Sequence, residues 1–144
     1  MLLFLDFDGV LHPAFCKERD YFCHMPLFTA VMREHPEVRI VISSTWRLVY
    51  PLEELRKAFP ADIAARVIGE TPDHEGKLRH VEIVHYLKLY AREDAPWIAL
   101  DDDHFGFPDH CPNLVRCDGV VGLTPATIDT LGKLITQLKD SDKP

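Results

Sequence analysis

The chain has 144 residues, of which 47% are hydrophobic and 27% are charged, and its formal net charge is −7 at pH 7. This composition is typical of a single globular domain over residues 1–144 and unlike that of disordered or membrane-spanning chains. The acidic balance disfavours broad, nonspecific binding of nucleic acid, which depends on a basic surface.

Short apolar runs alternate along the chain with segments of helical periodicity. The first half is predicted to contain a strand at Leu2 to Asp6, a helix at Leu27 to Glu34, a strand at Val38 to Ser43, a helix at Leu52 to Phe59 and a short strand at Val67-Ile68. The second half is predicted to contain a helix from about Lys77 to Ala91, strands at Trp97 to Leu100 and Leu114 to Cys117, and a last helix that Thr124 caps and Pro125 opens. Alternating βα units predict a parallel, Rossmann-like α/β sheet with helices on both faces.

The spacing of apolar residues also predicts which faces of the two longest helices are buried. In the helix from about Lys77 to Ala91, the buried face is predicted to carry Leu78, Val81, Val84 and Leu87. In the last helix, the buried face is predicted to carry Ile128, Leu131, Leu134, Ile135 and Leu138.

Polar residues follow each of the three most apolar strands. Asp6 and Asp8 follow the first strand, and Gly9 lets the backbone turn away; the other two strands lead into Ser43-Ser44-Thr45 and Asp101-Asp102-Asp103. Each group alone is compatible with a turn, a helix cap or a solvated loop. Because ligands bind at the carboxyl ends of strands in open α/β sheets, their joint occurrence predicts a functional site. Crowded carboxylates favour a bound cation, so we expect metal-assisted chemistry.

These residues resemble the motifs of the haloacid dehalogenase (HAD) superfamily of phosphotransferases and phosphatases. Motif one of that superfamily, an apolar strand followed by DxDG, is matched by Asp6, Asp8 and Gly9. Motif two, an apolar strand ending in Ser or Thr, is matched by Val38 to Ser43. Motif four, an apolar strand ending in paired acids, is matched by Trp97 to Asp102.

The resemblance implies roles for the acidic residues. Asp6 would attack phosphorus and form an aspartyl-phosphate, and Asp8 would protonate the leaving oxygen and later activate the hydrolytic water. Mg²⁺ would be held by Asp6, the backbone carbonyl of Asp8, and Asp101 or Asp102. Because Asp101, Asp102 and Asp103 follow one another, the residues that bind the metal could be shifted by one position.

The third motif of the superfamily supplies a lysine near the start of a helix. Lys77 is the best candidate, and Arg79 or His80 could take its place. A cation at this position would balance the charge of the carboxylates.

Contacts to the substrate are expected from Gly9 and from residues 43–47. Ser43 would donate a hydrogen bond to a phosphoryl oxygen, although Ser44 could occupy the same position. Arg47 has two interpretations: it binds a second phosphate of the substrate, or it is a solvated arginine next to a core tryptophan, Trp46.

Within the superfamily, the stretches VISSTWR, EIVHYL and VGLT resemble the small phosphatase-like domains of multidomain RNA repair proteins and the 3'-phosphatase half of polynucleotide kinase-phosphatases. Only about 27 residues separate Val10 from Val38, too few for a folded cap, and open sites suit substrates that exclude water themselves. The resemblance therefore implies a Mg²⁺-dependent phosphomonoesterase for a polynucleotide or nucleotide phosphate. The alternatives are a small-metabolite phosphatase and a catalytically idle binding module.

The sequence also gives an expectation for the compartment. No apolar stretch approaches the roughly 20 residues needed to span a bilayer, and no basic region precedes Leu2. We therefore expect a cytoplasmic protein that does not contact a membrane.

Overall fold

The computed structural model describes residues 1–92 and 94–144, and a parallel sheet of five strands lies at its centre. The strands are Leu2–Leu5 (β1), Arg39–Ile42 (β2), Val67–Glu70 (β3), Trp97–Asp101 (β4) and Leu114–Arg116 (β5). Their order across the sheet is β3-β2-β1-β4-β5, and every pairing is parallel. The predicted Rossmann-like α/β fold is therefore confirmed.

The order of the strands determines where a ligand can bind. Leu5, the last residue of β1, pairs with Ile42 of β2 on one side and with Leu100 of β4 on the other. The chain extends the sheet from β1 towards β3 and later returns to the opposite side of β1 with β4. The carboxyl ends of β1 and β4 therefore border the crevice at which this class of sheet binds ligands.

In the described part of the chain, five helices cover the sheet: Met25–Glu34 (α1), Leu52–Arg56 (α2), Ala61–Ala64 (α3), Arg79–Tyr90 (α4) and Pro125–Ser141 (α5). Two 3₁₀ turns span Glu18–Asp20 and Thr45–Leu48. Most bounds agree with the predicted ones to within two residues. The helix predicted to reach Phe59 instead ends at Arg56, and Pro60 then caps α3, which was not predicted.

Alternation along the strands divides the core into two layers. Leu3 and Leu5 of β1 face a cluster that includes residues of α1 and α5, whereas Phe4 faces α4 on the other side. In α5, Leu131 and Ile135 are buried, and the other predicted core residues pack against them. Thr124 caps this helix by accepting a hydrogen bond from the Thr127 N–H. The predictions for α5 are confirmed.

The buried face predicted for α4 is partly wrong: Leu87 packs against the core cluster of Phe4 and Tyr86, as predicted, but two other residues do not. Leu78 and Val81 are exposed, and the buried residues of the helix are Glu82, Ile83 and Tyr86. Tyr86 packs edge-on against Phe4 of β1, with the ring centroids 5.5 Å apart. Because these contacts and the ion pair of Glu82 determine the orientation of the helix, α4 is rotated relative to the prediction.

The segment between β1 and β2 is described in full and contains one 3₁₀ turn and α1. It adds no separate cap domain, as its length predicted. No helix among residues 1–92 and 94–144 combines the length and the apolar character that crossing a bilayer requires.

Candidate active site

Three carboxylates meet at the carboxyl ends of β1 and β4. Asp6 follows β1, Asp101 is the last residue of β4, Asp102 comes next, and one oxygen from each lies within 4.8 Å of the others. Burial, together with the charge of Asp101, raises the pKa of Asp6 well above its usual value. Burial also raises the pKa of Asp101, to about 6. The cluster therefore carries negative charge that its surroundings do not balance.

The chemistry of this cluster suits a magnesium ion. Carboxylate oxygens are hard ligands, which Mg²⁺ prefers over nitrogen and sulfur. The only backbone donors to Asp6 and Asp101 among the described residues are the Phe7 N–H, 2.9 Å from Asp6 Oδ1, and the Asp103 N–H, 3.0 Å from Asp101 Oδ1. Asp103 itself accepts the Gly106 N–H at 3.0 Å and so closes its own loop. The residues that fit a metal are therefore Asp6, Asp101 and Asp102.

Two glycines make room for Asp102. Gly9 has a φ of +78°, which favours glycine, and a Cβ atom built there would overlap the Asp102 carboxylate. A Cβ atom on Gly119 would overlap the same carboxylate. Gly9 was predicted from motif one, whereas Gly119 was missed. Its only signal in the sequence is the turn-forming pair Asp118-Gly119 after β5.

Arg79, and not Lys77, lies against the acids. Its Nη1 atom is 3.5 Å from Asp6 Oδ1 and 3.4 Å from Asp101 Oδ2, and its side chain is largely buried. Lys77 precedes α4, is exposed, and forms no ion pair with a described acid. It lines a cavity of about 300 Å³ beside Arg79 and Phe105. Because α4 begins at Arg79, the first turn of the helix directs Arg79 to the strand ends. The geometry therefore favours Arg79, one of the stated alternatives, over Lys77 as the cation of motif three.

The two serines after β2 are both buried but differ in their contacts. Ser44 Oγ accepts the Trp46 N–H at 3.2 Å and so caps the 3₁₀ turn that follows. Ser43 Oγ has no hydrogen-bond partner among the described residues. The geometry therefore favours Ser43 as the residue that is free to bind an oxygen of a ligand.

The Asp8 side chain lies outside the three-acid cluster and contacts two aromatic rings. Its Oδ1 is 2.7 Å from His12 Nε2, and both of its oxygens lie 3.1 Å from Trp46 Nε1. His12 Nδ1 accepts the Phe22 N–H at 3.2 Å, so the proton of the neutral ring resides on Nε2 and is donated to Asp8. The side chain of Asp8 is 44% exposed. It is therefore held in place yet open to a ligand, and any metal contact of Asp8 would fall to its backbone carbonyl.

The sequence analysis did not predict that His12 and Trp46 contact the Asp8 carboxyl group. His12 follows Asp8 by four residues, which was the one local signal. Trp46 also packs against Phe7, with the ring centroids 5.6 Å apart, as expected of a core tryptophan. The sequence analysis did not predict that its indole N–H contacts Asp8.

Arg47 fits neither of its predicted roles. It is buried, and it donates to the Ser44 carbonyl at 2.8 Å, to the Thr71 carbonyl at 3.0 Å and to Glu82 Oε2 at 2.8 Å. It therefore joins the loop after β3 and helix α4 to the turn after β2. A side chain so enclosed is not placed to bind a second phosphate.

An aspartate at the end of a central parallel strand, a buried serine after the next strand and paired acids after β4 together define a hydrolase-type domain of the HAD superfamily. The comparison with family models is more specific. The chain belongs to the family described as the HAD domain in Swiss Army Knife RNA repair proteins, whose model matches residues 2–128. Membership supports a phosphatase-type function. No curated protein and no solved structure matches the chain significantly.

Proposed function

We propose that the protein is a Mg²⁺-dependent phosphomonoesterase that acts through an aspartyl-phosphate on the phosphorylated end of a polynucleotide, in the cytoplasm. One observation carries the proposal. Ser43 Oγ is a buried donor without a hydrogen-bond partner in the described part of the chain, and Arg79 Nη1 is a buried donor held only by long ion pairs, 3.5 Å to Asp6 and 3.4 Å to Asp101. An unpartnered buried donor costs about 1–3 kcal/mol, so a phosphoryl oxygen that accepts from Ser43 would remove this cost, and a second phosphoryl oxygen could accept from Arg79.

In the first step, a carboxylate oxygen of Asp6 attacks phosphorus and the bond from phosphorus to the ester oxygen breaks. Asp8 gives its proton to the leaving oxygen, while Ser43 and Arg79 donate hydrogen bonds to the phosphoryl oxygens. In the second step, Asp8 takes a proton from a water molecule that attacks the aspartyl-phosphate, and Asp6 leaves as a carboxylate. Mg²⁺ bound by Asp6, Asp101 and Asp102 would neutralise charge between the nucleophile and the substrate.

The preference for a polynucleotide end rests on the shape of the site and on the family. The segment between β1 and β2 contributes no cap, so the site cannot enclose a small ester. Its substrate must then exclude water and contribute binding energy through parts beyond the phosphoryl group. The family is described as the HAD domain in RNA repair proteins, and this description supports a phosphate at the end of a polynucleotide as the substrate.

A panel of phosphate esters tests the proposal. With Mg²⁺ present, we expect kcat/KM for a 3'-phosphorylated oligonucleotide to exceed that for the matching mononucleotide by at least about tenfold, or about 1.4 kcal/mol. Asp6→Asn should abolish turnover, whereas the matched change at an exposed aspartate, Asp109→Asn, should not.

Three outcomes would contradict parts of this proposal. Wild-type activity in purified Asp6→Asn would exclude the covalent mechanism. A clear preference for a sugar phosphate would favour the small-metabolite alternative. Absence of turnover of every ester would favour a binding module.

A further inference from the structure

Three aromatic side chains lie together near Asp8, with Tyr21 edge-on to Trp46 at an interplanar angle of 72° and Tyr50 tilted against Trp46 at 37°. The ring centroids of Tyr21 and Trp46 are 5.3 Å apart, and those of Trp46 and Tyr50 are 5.6 Å apart. We call Tyr21, Trp46 and Tyr50 the aromatic platform. Tyr21 is 40% exposed and Tyr50 is 47% exposed, so the platform faces solvent.

The two tyrosines are not needed to complete the hydrophobic core. Trp46 packs against the core, whereas Tyr21 and Tyr50 belong to neither core cluster of the described chain. Their hydroxyl groups form no hydrogen bond with another described residue. Large rings that contribute little to the core and lie together on the surface are typical of a binding surface.

The position of Asp8 indicates what would cover the platform. Trp46 Nε1 lies 3.1 Å from both Asp8 oxygens, and Tyr21 stacks on His12, the other donor to Asp8, with the ring centroids 4.9 Å apart. An oxygen that takes a proton from Asp8 must lie about 2.6–3.2 Å from it. The leaving group, and not the phosphoryl group, is therefore the part of the substrate next to the platform.

We propose that the aromatic platform stacks the nucleobase of the terminal nucleotide whose phosphate is removed. This inference rests on the proposed function, because it assigns the leaving group of the same reaction. Stacking of a base on an aromatic side chain contributes about 1–3 kcal/mol and tolerates any base. With a net charge of −7, the chain is poorly suited to follow a phosphate backbone, so base stacking supplies the remote binding energy that an uncapped site requires.

The test compares two ends that differ only in the base. A trinucleotide with a 3'-phosphate is paired with the same trinucleotide carrying an abasic 3'-terminal sugar phosphate. We expect wild-type kcat/KM to favour the base-bearing end by about tenfold or more, within the 1–3 kcal/mol range of stacking. The double variant Tyr21→Leu/Tyr50→Leu should reduce this ratio to within about twofold of one.

A control and a second measurement separate stacking from damage to the fold. Tyr90→Leu removes an exposed tyrosine at the other end of α4, about 16 Å along the helix from Arg79, and should leave the ratio unchanged. Binding of the two trinucleotides to Asp6→Asn/Trp97→Phe, which cannot turn over and retains Trp46 as its tryptophan, is followed by the fluorescence of Trp46. We expect quenching and tighter binding only with the base-bearing end, and loss of both in the double tyrosine variant.

The outcomes distinguish this inference from the proposed function. Turnover of both ends with a ratio near one overturns the stacking platform and leaves the phosphatase intact. Equal losses on both substrates in the double variant also overturn it, because a merely structural role would act in that way. More efficient, platform-dependent turnover of a phosphotyrosine peptide would overturn the assignment of a nucleobase. Absence of turnover of any ester contradicts the proposed function, while the binding measurement still tests the platform.

Discussion

A single arginine provides the positive charge among the acids at the strand ends. Arg79 contacts Asp6 and Asp101, whereas Lys77 is exposed at the rim of the adjacent cavity. Arg79→Ala should therefore lower kcat by about a hundredfold, the loss typical of removing one donor to a developing oxyanion. Lys77→Ala should lower kcat less than about threefold, because a surface cation acts mainly on encounter with the substrate. Steady-state kinetics on a 3'-phosphorylated oligonucleotide measures both. A larger loss in Lys77→Ala would restore the register predicted from the sequence.

Trp46 is argued to position Asp8 through its indole N–H. Trp46→Phe keeps an aromatic ring but removes the donor 3.1 Å from both Asp8 oxygens, and a hydrogen bond that orients the protonated acid contributes about 0.5–1.5 kcal/mol. We expect kcat/KM to fall by up to about tenfold for an alkyl phosphate, whose leaving oxygen needs a proton. For p-nitrophenyl phosphate, whose leaving group departs without one, kcat/KM should change little.

The comparison between these two esters distinguishes positioning from general damage. A structural defect would lower kcat/KM for both, and Trp97→Phe serves as the matched change at the other tryptophan, which lies at the start of β4. An equal loss on both esters in Trp46→Phe would contradict the positioning role.

At the level of elements, the buried ion pair between Arg47 and Glu82 holds α4 to the turn after β2. Arg47→Met leaves the buried Glu82 with the His74 N–H as a donor but without a counter-charge, and should lower the free energy of unfolding by about 3 kcal/mol. Arg33 forms an exposed pair with Asp62, so the matched change Arg33→Met should lower the free energy of unfolding far less than Arg47→Met does. Denaturant titration of both variants measures the difference. Equal losses in the two variants would show that the buried pair does not hold the helix.

Periodicity predicted the sheet, its two covered faces and the buried side of α5, because in those elements burial follows the apolar residues. It failed for α4, in which Glu82 is buried and Val81 is exposed, because an arginine elsewhere in the chain determines which face turns inward. Motif spacing predicted Asp6, Asp101 and Asp102 at one edge of the sheet, since each follows a parallel strand. It could not predict Gly119, because the closeness of Gly119 to Asp102 depends on how the loop after β5 approaches the loop after β4.

For the molecule as a whole, the crowded acids link stability to pH. Folding raises the pKa of Asp101 to about 6, so the folded state binds more protons than the unfolded state between the two pKa values. Stability of the metal-free protein should therefore increase as the pH falls from about 7.5 to about 5, by about 1.4 kcal/mol for this group, because only about one pH unit of that range lies below the folded pKa. The raised pKa of Asp6 acts in the same direction.

Denaturant titration in the presence of a chelator, at both ends of this pH range, measures the effect. Asp101→Asn removes the group and should reduce the pH dependence, and it should be more stable than the wild type at about pH 7.5 because a buried charge is lost. The same pH dependence in the variant and the wild type would show that Asp101 does not titrate in this range.

The position of β1 in the middle of the sheet has a consequence for synthesis and folding. Leu2 pairs with Arg39 on one side and with Trp97 on the other, so the strand that carries Asp6 acquires its second neighbour only after most of the chain has left the ribosome. Strand pairings between segments far apart in the sequence form late in folding, because closing the long loop between them costs conformational entropy. A nascent or truncated chain that ends before β4 holds Asp6 and Ser43 but has neither Asp101 nor Asp102. We therefore expect the three carboxylates to come together only late in folding, so that a partial chain lacks the complete acidic cluster.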